Sequence, residues 1–145
     1  MSEKRLATSE KNTRKSPFFV TLSGGIALTL MVFHWVRLYS VLRQWDTIVA
    51  FMPSPGPFYI AATGLIWALA WTIVFLAILL AWNRTPPLLL AVSFSYAVYY
   101  WADRLLLQSA VERTGTLFAF STTLLFLSVV IIAAFQLYKK LPKIG

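Results

Sequence analysis

The stretch FYIAATGLIWALAWTIVFLAILLAW, Phe58–Trp82, decides the fold, because no residue in it carries a charge. It lies within a longer uncharged run, Thr47–Asn83, and three further runs occur at Ser16–Val36, Thr85–Ala102 and Thr114–Tyr138. A helix needs roughly 20 apolar residues to cross the ~30 Å hydrocarbon core of a bilayer. Each run approaches or exceeds that length, and short charged clusters separate them. The pattern predicts an all-α fold, an integral membrane four-helix bundle with spans at about 17–38, 58–82, 86–107 and 115–138. These lie in one transmembrane domain over residues 17–140, with a basic, disordered tail over 1–16 and a short basic tail over 141–145.

Composition agrees. Hydrophobic residues make up 59% of the chain and charged residues 12%, against about a quarter charged in soluble domains. The net charge of +8 is unevenly placed. Lys4, Arg5, Lys11, Arg14, Lys15, Arg84, Lys139, Lys140 and Lys143 fall in the tails and second loop, whereas Arg37, Arg43, Arg104 and Arg113 fall on the other side. Lys and Arg accumulate on the cytoplasmic side, so both termini are expected there, in a cell membrane such as a bacterial inner membrane. Lys11, Arg14, Lys15, Arg84, Lys139 and Lys140 are candidate contacts for anionic lipid headgroups. Residues 1–16 contain no aromatic side chain to stack on bases, which argues against nucleic acid as a partner. The basic start followed by an apolar run resembles a signal peptide but lacks a small-residue cleavage site, so an uncleaved signal-anchor helix is expected.

Helical periodicity continues beyond the first span. Leu38, Val41, Leu42, Trp45, Ile48 and Val49 recur at spacings of three and four, opposite Arg37, Ser40, Arg43 and Gln44. The first and third helices are therefore expected to extend past the outer membrane edge. Between them, Pro53-Ser54-Pro55-Gly56-Pro57 interrupts the helix. Trp and Tyr favour the membrane interfaces. Trp35, Tyr39, Tyr59, Tyr99 and Tyr100 map to the outer level and Trp82 and Tyr138 to the inner one. Small residues mark close-packing stripes: Gly24 and Gly25, then Ala61, Gly64 and Ala68, then Ala91 and Ser95, then Gly115, Ala119 and Thr123. Trp67 and Trp71 sit one turn apart at mid-span, where each indole N–H is expected to bond a Ser or Thr hydroxyl on another span.

Chemistry-bearing residues are sparse. His34, Arg37, Asp103 and Arg104 form a candidate intramembrane polar cluster, in which Arg37 is expected to contact Asp103 because an unpaired charge at that depth is costly. With no cysteine, thiol nucleophiles, disulfides and thiolate metal sites are excluded. One histidine and one deep acid supply no metal set, no acid dyad and no catalytic constellation. The expectation is a non-enzymatic membrane protein without cofactor, acting as an accessory or interaction subunit with a protein partner or a second copy of itself. The alternative is a small oligomeric transporter or channel with a polar route near His34, Arg37 and Asp103.

Overall fold

The computed structural model describes residues 15–51, 56–107 and 115–139. Among them the chain forms five helices: α1 (Lys15–Arg43), α2 (Trp45–Phe51), α3 (Gly56–Leu79), α4 (Thr85–Leu106) and α5 (Thr116–Tyr138). Lys11, Arg14, Lys140 and the greater part of both tails lie outside the described residues. Segments Phe18–Arg43, Gly56–Leu79 and Thr116–Tyr138 are long and apolar enough to cross a membrane. α4 is not among these three; it has the length, but Ser93, Ser95, Tyr96, Tyr99, Tyr100, Asp103 and Arg104 dilute its apolar character.

The helix ends follow local chemistry. α1 runs unbroken to Arg43, and the Gln44 N–H still donates to the Ser40 carbonyl at 3.0 Å, so α2 continues α1 after a single turn residue. α2 buries none of its residues. α3 begins at Gly56, whose φ of 75° is open to glycine and strained for other residues. Its far end closes on Ala81, held at φ 49°. The Ala81 N–H donates to the Ile78 carbonyl at 3.2 Å and the Trp82 N–H to the Ala77 carbonyl at 3.0 Å, which is a Schellman closure with alanine where glycine is usual. The Thr85 hydroxyl donates to the same Ala77 carbonyl at 2.9 Å, tying the start of α4 to the end of α3. Pro86 and Pro87 occupy the first turn of α4, where their missing N–H groups cost nothing.

Successive long helices run antiparallel. Leu38 of α1 meets Gly64 of α3 while Gly24 meets Ile78; Tyr59 of α3 meets Asp103 of α4 while Trp71 meets Tyr96; Trp101 of α4 meets Phe120 of α5. The start of α1, the α3–α4 turn and the end of α5 thus share one end, the tail end. The ends of α1 and α4 and the start of α5 share the other, the loop end. α1 packs on α3 and α5, and α4 packs on the same two helices, so the four long helices adjoin in the order α1, α3, α4, α5. Their shared core contains Ala27, Trp67, Trp71, Val74, Ile78, Leu89, Val130 and Ala134. Leu65, Ile66, Leu69, Ile73 and Leu76 of α3 face outward, as do Leu125, Ile132 and Phe135 of α5. Water would penalise an apolar surface of that extent, whereas lipid solvates it.

The small-residue expectations are corrected in part: Gly25 and Gly115 are exposed, with no packing partner among the described residues within 4 Å of where a Cβ would stand. Ala91 and Ser95 are exposed, and Ser93 and Ala97 are the small residues that α4 buries. Two residues correspond to roughly 200° around a helix, so the packed stripe lies on nearly the opposite side. Ala61, Gly64 and Ala68 do face the protein: Ala61 is half-buried and the other two are buried.

Candidate functional site

Between the helices, space is occupied by aromatic rings. Tyr96 of α4 is the hub: its ring centroid lies 5.4 Å from His34 on α1, 4.9 Å from Trp67 and 5.9 Å from Trp71 on α3, and 6.3 Å from Tyr99. The three contacts to His34 and the tryptophans are edge-to-face, the arrangement the ring quadrupoles favour. Trp71 also reaches Phe126 of α5 at 6.3 Å. Rings therefore bridge both diagonals, α1 to α4 and α3 to α5, whose backbones do not approach closely.

The four predicted polar residues are not one cluster. His34 is fully buried, and neither ring nitrogen finds a hydrogen-bond partner among the described residues. Arg37, one turn further along α1, is half-buried and close enough to act electrostatically on His34 and Tyr96. Asp103 belongs to a different helix pair: the Tyr59 phenol donates to its Oδ1 at 2.7 Å. Tyr99 adjoins that phenol. The expected Arg37–Asp103 contact is thus replaced by a phenol–carboxylate bond between α3 and α4. Physically, a nearby phenol can relieve a half-buried carboxylate without the cost of desolvating a second charge. Arg104, next in sequence, is buried and turns toward α5.

The tryptophan expectation is also corrected. The Trp71 N–H has no hydroxyl partner among the described residues. Trp35, at the rim of the α1–α3 pair, donates its indole N–H to the Thr72 hydroxyl at 3.2 Å. Thr72 in turn donates to the Ala68 carbonyl at 2.7 Å, which orients its oxygen.

Two cavities open sideways. One, of about 400 Å³, lies between α4 and α5 with Leu30 of α1 as its floor; Tyr96, Tyr100 and Arg104 line one wall and Gly115, Thr122 and Phe126 the other. The second, of about 600 Å³, follows the α1–α5 seam toward Phe18 and Thr21, and shares Leu30 and Phe126 with the first. Both walls are overwhelmingly apolar, with Arg104 the charged residue among them. At the tail end, Arg84 and Lys139 are exposed, and the Lys139 ammonium lies 4.5 Å over the Phe135 ring.

Sequence reasoning missed Tyr59 and Tyr96. Tyr59 was read only as an interfacial aromatic residue, and Tyr96 carried no distinguishing signal alone. The available signal was the helical spacing of Ser93, Tyr96, Ala97, Tyr100 and Arg104, which places them on one side of α4. Comparison with known proteins finds no matching family, no matching curated sequence and no matching solved structure.

Proposed function

We propose that this chain is a four-span integral membrane protein, with both ends cytoplasmic, that acts by lateral binding as a non-enzymatic accessory or interaction subunit. The argument for a fourth span is geometric. At ~1.5 Å per residue, α4 is about 33 Å long, enough for the ~30 Å core. Most of its polar groups are turned from lipid: Ser93 is buried, and Tyr96 and Tyr99 point among the aromatic rings, while the small hydroxyl of Ser95 faces outward with Phe94, Val98, Leu105 and Leu106. A helix flanked by α3 and α5 can hide such groups from hydrocarbon.

The observation that carries the lateral-binding reading is the contrast between the interior and the α1–α5 seam. The interior is filled by the Tyr96 ring cluster, whereas cavities of about 600 and 400 Å³ lie along α5, one against α1 and one against α4. Transport along the bundle axis needs polar positions facing a common route; here Asp103 is engaged with Tyr59 and the rings lie across the path. A partner helix, a second copy or lipid can reach the seam without such a route. Arg84 and Lys139 at the tail end suit anionic headgroups of the cytoplasmic leaflet, at ~1 kcal/mol per basic residue.

The natural lack of cysteine makes single-cysteine labelling a direct test. Arg84→Cys and Lys139→Cys should react with an impermeant maleimide only from the cytoplasmic face, and Gln44→Cys and Thr116→Cys only from the other. Placement of Arg84→Cys and Thr116→Cys on one side would refute the fourth span. For the binding role, mild extraction should yield a species larger than the monomer. A bare monomer together with solute flux in reconstituted vesicles would favour the transporter alternative.

A further inference from the structure

We infer that the cavity between α4 and α5 holds an acyl chain of an anionic phospholipid, with Arg104 meeting its headgroup at the loop end. The inference rests on the membrane reading for the supply of lipid, but not on any protein partner. The shape fits first. From Gly115 to Phe126 the cavity follows α5 for roughly 16 Å at ~1.5 Å per residue, which is about half of the ~30 Å hydrocarbon thickness and so the depth of one leaflet. Its apolar lining offers a chain contacts on several sides.

The charge is placed at the matching end. Arg104 lines the cavity in the last turn of α4, opposite Gly115 at the start of α5. Arg104 also has an interaction within the protein, yet a guanidinium has five N–H donors and can serve several acceptors. The positive end of the α5 dipole lies at the same level, and Gly115 brings no side chain to cap it. Asp103 Oδ1 accepts from Tyr59 of α3, whereas Arg104 lines the cavity beside α5. A bidentate guanidinium–phosphate contact suits this arrangement, and a zwitterionic headgroup would add a repelled ammonium.

Native mass spectrometry of the full chain in mild detergent tests this, using equal amounts of phosphatidylglycerol and phosphatidylcholine. The wild type should retain one phosphatidylglycerol with about tenfold preference. Arg104→Gln should abolish the preference. Thr122→Trp should reduce retention of both lipids; Thr122 is an exposed wall residue, so the indole can enter the cavity without displacing core. Arg37→Gln, on α1 and not among the residues that line the cavity, should retain lipid as the wild type does. Equal binding of both lipids by the wild type, retention unaffected by Thr122→Trp, or a free fatty acid as the retained species would each overturn the inference. Any of these results leaves the labelling test of the spans unaffected.

Discussion

The Tyr59–Asp103 bond can be isolated from everything around it. Tyr59→Phe removes one hydroxyl and keeps the ring, so packing between α3 and α4 is conserved while Asp103 loses its 2.7 Å donor. Hydrogen bonds to charged groups contribute about 1.5–3 kcal/mol in soluble proteins, but measured interhelical hydrogen bonds in a membrane protein average only ~0.6 and reach ~1.7 kcal/mol. Asp103 is half-buried near a helix end and its bond is short, so a coupling of about 1 kcal/mol is expected, between that average and maximum. A double-mutant cycle of Tyr59→Phe with Asp103→Ala, read from reversible unfolding in mixed micelles, measures it. The same cycle with Arg37→Gln and Asp103→Ala should be additive within ~0.5 kcal/mol. The opposite outcome, with Arg37 coupled to Asp103 and Tyr59 uncoupled, would refute the assignment and restore the charge pair that sequence alone suggests.

Ala81 sits at φ 49° in the closure of α3, a conformation costing a residue with a Cβ about 1 kcal/mol or more; Ala81→Gly should raise unfolding stability by about that amount, and a loss would refute the strained closure. His34→Phe keeps a ring against Phe33 and Tyr96 while removing two buried nitrogens that have no partner among the described residues. Stability should hold or rise by about 1 kcal/mol, and a fall of that size would show the nitrogens to be engaged. Gly64 separates small from large: an added Cβ would stand 3.7 Å from Leu38 Cα and Cβ, an ordinary contact. Gly64→Ala should therefore be tolerated in thermal unfolding, whereas Gly64→Leu must part α1 from α3 and cost about 1–3 kcal/mol. Equal tolerance of both would show that the two helices do not meet there.

The helical class and the approximate positions of the long helices were legible because their cause is local, although three of the four expected spans, and not α4, are apolar enough by themselves to cross a membrane. Uncharged runs of that length have few stable states other than helices in lipid, and prolines at 53, 55, 57, 86 and 87 punctuate them. The continuation of α1 to Arg43 was legible too, since its apolar residues recur at helical spacing opposite charged ones. The facing of each helix was not. α3 is apolar all round, so periodicity says nothing about which side meets protein. On α4, serines at 93 and 95 looked equivalent, and only the neighbouring helices show that Ser93 is the buried one. The partner of Asp103 was misread for a related reason: charge was matched to charge by depth, while a phenol on α3 lay closer.

Small residues and rings divide the labour of packing, and this division locates the cavities. Between α1 and α3, Gly64 and Gly24 let the backbones approach Leu38 and Ile78, giving the most extensive helix contact in the molecule. Trp35 and Thr72 then fasten the rim of that pair. α1 and α5 meet less fully; one cavity follows their seam, the other opens between α4 and α5, and Phe126 and Leu30 contribute to the walls of both. Without a hydrophobic force between helices in lipid, such a gap does not close merely to escape solvent. The stiff α1–α3 pair cannot rotate to fill it without losing its own close contacts, and the Tyr96 cluster holds α4 at its distance. An opening on the α1–α5 side follows from where the glycines and the rings fall in the sequence, and that is the side on which a lipid or a partner helix can enter.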